Sequence, residues 1–312
     1  MRVGLVDVDS HNYPNLPLMK ISAWHKAKGD SVEWHQPLFS DHLDKVYMSK
    51  VFSFTPDYEY PIDADEVVRG GSGYCITLEN GREVFDKEKD RELPDEIEHI
   101  YPDYSLYPEF QDTAYGFLTR GCPRGCGFCH VATKEGRCSR KVADLSEFWH
   151  GQGNIVLNDP NILGCKDHME LLGQLAESGA SVEFNQGLDI RLMNEDNIRM
   201  LKRIRLTHIH FAYDRYEDKD TIEPKMRMVR KLTGWNRNNQ GKPTVFILCN
   251  YNTTIEQDIE RIQFCRELEW TPYPMIYDKA NADPIYRKIQ RWCNNYIFWV
   301  CPTFNEYKRR EA

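Results

Sequence analysis

Three cysteines fall within eight residues of the segment RGCPRGCGFC, which spans positions 120–129. Three residues separate Cys122 from Cys126, and two separate Cys126 from Cys129, with glycine and proline among them. Glycine and proline let a loop turn sharply and bring its backbone close to a bound group. Thiols clustered in this way, in a protein that we expect to be reduced, indicate a metal site more often than disulfides.

The spacing alone is compatible with two kinds of metal centre. A structural zinc ion takes four protein ligands, and Cys138 or His130 would then supply the fourth. Iron–sulfur clusters are held by thiolates, typically four of them. Three thiolates on a four-iron cluster would leave one iron open for a substrate or a cofactor.

The elements that must position this loop follow an α/β pattern. Short β-branched runs alternate with amphipathic stretches, which is typical of a parallel sheet with crossover helices. From residue 113 to 280 the pattern predicts a partial (β/α)6 barrel. Its six strands are AYGFLT, NIVLND, SVEFNQ, HIHFAYD, TVFILCNY and YPMIYD.

The remaining segments predict three further parts. Residues 1–75 begin with the strand RVGLVDV and the helix LPLMKISAWHKAKG, and predict a small Rossmann-like open-sheet domain. Residues 76–112 read as a connector that starts with a hairpin, because Asn80-Gly81 suits a tight turn. Residues 281–312 predict a helical and aromatic C-terminal extension.

The cysteine motif resembles the signature of the radical S-adenosylmethionine superfamily. The match consists of Cys122-x₃-Cys126-x₂-Cys129, with Phe128 before the last cysteine, directly after the first of six predicted barrel strands. The resemblance implies a 4Fe–4S cluster on the three cysteines and S-adenosyl-L-methionine on the fourth iron. It implies an enzyme that uses a reductant such as flavodoxin or ferredoxin to generate a 5′-deoxyadenosyl radical. That radical would abstract hydrogen from a substrate that the sequence does not identify, either a small molecule or an RNA or nucleotide.

The same resemblance implies cofactor contacts at the ends of later strands. Phe128 would cover the adenine side of the cluster loop. Asp159 in LNDPN would meet the methionyl amine, unless it only caps the turn that follows. Asp214 would lie near the ribose hydroxyls, while Arg191 and Asn250 would reach the cofactor from the third and fifth strands.

Residues 1–75 resemble, more loosely, the cobalamin-binding domain that precedes the barrel in a large subfamily. The segment DSHNYP contains Asp9-x-His11 but lacks the glycine of the Asp-x-His-x-x-Gly signature, and the domain is shortened. We therefore expect this domain to shape the substrate site rather than hold cobalamin. A cobalamin-dependent radical methyltransferase is the alternative within enzyme chemistry.

Composition limits the remaining function classes. The net charge of −8 argues against a general polyanion-binding surface. No segment has the length of a membrane span, and the start MRVGLVDVDSHNYPN does not resemble a signal peptide, so we expect a cytoplasmic protein. Residues 225–242 nevertheless hold six Lys or Arg residues and no acid. A non-catalytic module that binds nucleic acid or a partner, with a structural metal, is therefore a further alternative.

Overall fold

The computed structural model describes residues 1–239, 241–294 and 296–311, except for the side chains of 308–311. The chain divides into two compact units, and the cysteine loop contributes residues to both. The first unit comprises Met1–Gly116, Arg124–Arg137 and Ala143–Ile155. The second comprises Phe117–Pro123, Cys138–Val142 and Val156–Ala312.

The strands form two parallel sheets and two short antiparallel ladders. In chain order they are β1 (Arg2–Asp7), β2 (Ser31–Trp34), β3 (Leu43–Ser49), β4 (Ala64–Gly70), β5 (Ile76–Glu79), β6 (Arg82–Phe85), β7 (Thr113–Gly116), β8 (Thr119–Arg120), β9 (Arg140–Lys141), β10 (Asn154–Leu157), β11 (Ser181–Leu188), β12 (Arg205–Ala212), β13 (Thr244–Cys249) and β14 (Thr271–Ile276).

The helices of seven or more residues that precede the last strand lie in the crossovers between parallel strands. In chain order the helices are α1 (Leu16–Ala27), α2 (Ser72–Cys75), α3 (Asp95–Glu98), α4 (Val131–Lys134), α5 (His168–Ser178), α6 (Glu195–Leu201), α7 (Lys219–Thr233), α8 (Ile255–Glu267), α9 (Ile285–Cys293), α10 (Ile297–Val300) and α11 (Phe304–Glu311). In the described chain, no helix combines the length and the apolar character needed to cross a membrane.

The first sheet has the strand order β2-β1-β3-β4, and its strands run parallel. Its central strand β1 buries the four residues from Val3 to Val6, as expected for a strand covered on both faces. The helix α1 returns the chain to β2. Asn15 caps that helix by accepting a hydrogen bond from the Leu18 amide at 3.3 Å. Leu18 and Ile21 pack with Val3 and Leu5 in the core.

The second sheet has the order β14-β13-β12-β11-β10-β7, so its strands follow one another in sequence. The pairs β11–β12, β12–β13 and β13–β14 are parallel, and α6, α7 and α8 occupy the connections before β12, β13 and β14. The predicted α/β fold with parallel sheets is confirmed. Closure of the six strands into a partial barrel stays a prediction. Because carboxyl ends of parallel strands share one edge, the loops after β10 to β13 meet on the same side of the sheet.

The tail after β14 is helical and rich in buried aromatics. Trp292 in α9 and Phe298 in α10 are fully buried, and their rings meet edge to face with centroids 5.1 Å apart. Parts of the predicted C-terminal extension, Asn295 and Ala312, lie outside the described residues.

Candidate functional site

The three clustered cysteines follow β8 in a loop whose backbone depends on glycine. All three are half-buried, and none of them forms a disulfide. Gly121 has φ +85° and Gly125 has φ +59°, a region that other residues rarely adopt. The glycines therefore make possible the turns that separate the thiols. Cys122 belongs to the second unit, whereas Cys126 and Cys129 belong to the first.

The later part of this loop is held by the β5–β6 hairpin of the first unit. The Cys129 amide donates to the Cys126 carbonyl at 3.1 Å, which closes a turn between the two thiols. Next in the chain, His130 places its Nδ1 2.6 Å from the Glu83 carboxylate of β6. His130 is thus engaged by an acid, although the sequence offered it as a zinc ligand. Phe128 is half-buried in this turn.

Asn161 contacts the thiol that lies in the second unit. Its Nδ2 lies 3.5 Å from the Cys122 sulfur, and its Oδ1 accepts the Gly164 amide at 3.1 Å. The side chain is almost completely buried. A nitrogen donor aimed at a ligand sulfur tunes the reduction potential of an iron–sulfur cluster bound there. The sequence reasoning missed Asn161; its position two residues after Asp159, in the same strand-end loop, was the available signal.

A polar chain extends from Asn161 to the residues after β11. The Asn161 amide also lies 3.4 Å from Asp189 Oδ2. Asp189 in turn accepts from Arg191 Nε at 2.7 Å, and Arg191 Nη1 donates to Asp218 at 2.8 Å. Arg191 therefore lies at the predicted strand end but is already paired with two carboxylates. Although burial acts to lower the pKa of Arg191, these acids outweigh burial and raise it.

Asp159 lies at the end of β10 and fastens the segment that leads into the cysteine loop. It is buried and accepts from the Thr119 amide at 2.5 Å, the Thr119 hydroxyl at 2.7 Å and the Leu118 amide at 3.1 Å. Burial raises the pKa of Asp159 to about 6, although the hydrogen bonds from Thr119 and Leu118 act in the opposite direction. These donors come from residues earlier in the chain rather than from the turn that follows. Its predicted contact with a methionyl amine stays a prediction.

Asp214 follows β12 and links that strand end to the neighbouring strand. Its Oδ1 accepts the Leu248 amide of β13 at 3.1 Å. Burial raises the pKa of Asp214 to about 6, while the Leu248 hydrogen bond and the charges of Arg261 and Arg191 act to lower it. Asp214 therefore gains a proton more readily than an ordinary aspartate.

Asn250 follows β13 in a left-handed backbone conformation, with φ +67°. Its amide donates to Asp258 Oδ2 at 2.9 Å, and its Nδ2 donates to the Tyr277 carbonyl beyond β14 at 3.1 Å. Asparagine adopts this backbone region more easily than most residues. Asn250 thus ties together the ends of the last two strands, at the edge where the sequence placed it.

A fully buried ion pair supports the strand ends that carry Asp214 and Asn250. Arg261 and Asp258, one turn apart on α8, are both completely buried and bonded to each other. Arg261 also donates to the Tyr213 carbonyl and, at 2.9 Å, to the Leu248 carbonyl. Sequence reasoning took α8 as an ordinary amphipathic helix and missed this pair.

The donor set of the loop fits an iron–sulfur cluster in its chemistry. Three thiols, none in a disulfide, share one short loop, and an amide nitrogen faces one of them. Across residues 1–239, 241–294 and 296–311, no three His, Cys, Asp or Glu side chains converge as ligands of a single ion. In a four-iron cluster each thiolate binds a different iron, so its ligands stand farther apart than those of one ion.

The fold and the site define an α/β protein with two parallel sheets and a cysteine-rich loop, of which Cys122 contacts Asn161 in the loop after β10. Compared with known proteins, the chain matches no family model and no curated sequence. Its function is therefore argued from its own residues.

Proposed function

We propose that this protein is a radical S-adenosylmethionine enzyme. The observation that carries the proposal is the Cys122, Cys126 and Cys129 triad on one glycine-containing loop, whose first cysteine contacts Asn161 after β10. The three thiolates would hold a 4Fe–4S cluster and leave one iron open for S-adenosyl-L-methionine. The bound pair would supply a 5′-deoxyadenosyl radical for hydrogen abstraction, once a donor such as flavodoxin or ferredoxin has provided an electron.

The residues around the triad have supporting roles in this proposal. Asn161 donates to the Cys122 sulfur and would tune the potential of a cluster bound there. Asp159 fixes the chain at Leu118 and Thr119, so the first cysteine starts from a defined position. A preorganised frame of this kind limits the movement of ligands when a site is loaded.

Two carboxyl-edge residues remain candidates for contact with the cofactor. Asp214 and Asn250 lie at the ends of β12 and β13, where parallel-sheet proteins bind ligands. Arg191 is committed to Asp189 and Asp218, so we assign it to ordering this edge rather than to a free cation site. Phe128 keeps its proposed role of covering the adenine side of the loop.

The basic run of residues 225–242 gives little support to a nucleic-acid module. Arg227 pairs with Glu267 at 2.9 Å, and Arg230 pairs with Glu269, both from the neighbouring α8 segment. Lys225 donates to the Met193 carbonyl at 2.7 Å, and Trp235 is buried. Cations neutralised in this way, around an internal tryptophan, are typical of a solvated helix face.

Anaerobic reconstitution with iron and sulfide tests the proposal. We expect one four-iron cluster per chain, and slow release of 5′-deoxyadenosine from S-adenosyl-L-methionine after reduction. Retention of one equivalent of cobalamin, lost in His11→Ala, would instead support the methyltransferase. Stoichiometric zinc without iron would contradict both enzyme functions.

A further inference from the structure

A small basic pocket lies entirely in the second unit. Its cavity measures about 420 Å³, and Arg140, Lys141, Lys166 and Asp167 are among the lining residues. Three cations and one carboxylate give this lining a formal charge of +2, since 3 − 1 = 2. The whole chain carries −8, so the pocket is a local reversal of sign.

The walls of the basic pocket belong to the elements that hold Cys122. Strand β9 supplies Arg140 and Lys141, and it pairs with β8, the strand that leads into the cysteine loop. On the other wall, Gly164 ends the turn that Asn161 begins. Asn161 is the residue whose amide faces the Cys122 sulfur. A ligand in the pocket would therefore be held next to the start of the cysteine loop.

The lysines of the pocket differ in the contacts that they already make. Lys166 is exposed and forms no hydrogen bond or ion pair with the part of the chain that the structure describes. Lys141 pairs with Glu170 at 2.9 Å, but that glutamate side chain is 61% exposed. Exposed ion pairs are weak, so a bound anion can compete with Glu170 for this contact.

We propose that the basic pocket binds a phosphate monoester and that this group belongs to the substrate. The second half of the proposal rests on the proposed function. A phosphate monoester carries a charge of about −1.5 to −2 at neutral pH, which matches the lining better than a carboxylate does. The planar guanidinium of Arg140 suits phosphate oxygens, which it can bind in pairs. The cavity size is in the range of small-ligand sites.

Binding can be tested on the full-length, iron-free protein with inorganic phosphate as the probe. We expect saturable broadening of the phosphate ³¹P resonance at constant ionic strength, with acetate a poor competitor. Lys166→Gln should weaken binding by about tenfold, the effect of one charge-assisted hydrogen bond. Lys231→Gln makes the same charge change on an exposed face of α7 and should alter binding less than twofold. Arg140→Gln provides a second pocket variant.

The outcomes distinguish failure of the phosphate-pocket proposal from failure of the proposed enzyme function. Broadening without saturation, or equal losses in Lys166→Gln and Lys231→Gln, would overturn the pocket even if the cluster assembles. A loss of phosphate binding in Lys166→Gln but not in Lys231→Gln would support the pocket even if iron never binds. In that case only the proposed enzyme function would be contradicted. A short single-stranded RNA that binds more tightly than phosphate, and that Lys231→Gln weakens equally, would point to an extended RNA surface and contradict a phosphate monoester site.

Discussion

The carboxyl edges of the two parallel sheets use their polar residues in different ways. At the edge of the four-stranded sheet, Asp9 is buried, and its two carboxylate oxygens accept hydrogen bonds from the Val51 and Phe52 amides, both at 2.8 Å. His11 is exposed, and Phe54 leaves 78% of its surface open. The buried carboxylate at this edge therefore serves to satisfy nearby backbone amides.

The edge of the six-stranded sheet collects charged and amide groups well beyond the needs of its backbone. Arg191 is paired with two acids there, and the Asp258–Arg261 pair is fully buried. Asp159 and Asp214 are kept where burial raises the pKa of each to about 6. Burying such groups costs free energy unless each is closely paired. The concentration of this free-energy cost at one edge supports the second sheet as the place of the candidate cofactor contacts.

The largest expected effect concerns the cysteine loop. Cys126→Ala should reduce reconstituted iron and sulfide to background, because two thiolates do not hold a four-iron cluster stably. Cys138→Ala removes a nearby exposed thiol outside the triad and should leave iron content at the wild-type level. Equal iron in Cys126→Ala and the wild type would remove the cluster assignment.

The next largest effect is a difference in the free energy of unfolding between variants at the carboxyl edges of the two sheets. Arg261→Met removes the ion partner of the buried Asp258, and should lower the free energy of unfolding by about 3–5 kcal/mol. Asp9→Asn at the first edge retains one acceptor oxygen and should cost only about 1–2 kcal/mol. Urea denaturation of both variants measures the difference.

Two further results sharpen this comparison. The double variant Asp258→Leu/Arg261→Met removes both charges together and should recover part of the stability lost in Arg261→Met. If Asp9→Asn costs as much as Arg261→Met, the two edges do not differ in the way described.

A smaller effect depends on pH through Asp214. Its pKa is raised from 3.8 to about 6 in the native state, so between these pH values the native state holds a proton that the unfolded state has released. The stabilisation from this proton is present near pH 4 and is lost as the pH rises through 6. Asp214→Asn carries no such loss, so its stability relative to the wild type should rise by up to about 3 kcal/mol from pH 4 to 7. Parallel pH profiles of the two proteins would refute this.

The smallest effect concerns the amide beside Cys122. Asn161→Ala removes the donor to sulfur and should make the midpoint potential of the reconstituted cluster more negative, since hydrogen bonds to sulfur stabilise the reduced state. Asn185→Ala is the control, because Asn185 is exposed and donates to Asn158 instead. A shift of the same size in both variants would show that the amide has no specific influence.

Local patterns in the sequence were sufficient for the α/β fold and for the choice of loop. Alternation and helical periodicity repeat within a few residues, so the strands and their crossovers could be predicted from short windows. The clustered cysteines are likewise a local signal.

The hydrogen bonds that hold the site residues in place could not be predicted in this way, because their donors and acceptors come from distant segments of the chain. Asp159 binds Leu118 and Thr119 about forty residues earlier, and Arg261 reaches the Tyr213 carbonyl. Periodicity places a side chain on a helix face or at a strand end, but it does not reveal which distant carbonyl or amide will face it. For the buried ion pair a local signal existed, since Asp258 and Arg261 lie one turn apart on the apolar side of α8.

The most direct test of the central claim is the electron paramagnetic resonance spectrum of the reduced, reconstituted protein with and without S-adenosyl-L-methionine. An open iron on a three-cysteine cluster predicts a signal whose g values change when the cofactor is added. The same change should persist in Lys231→Gln, which lies outside the site. A reduced cluster whose signal is identical with and without the cofactor would contradict the account.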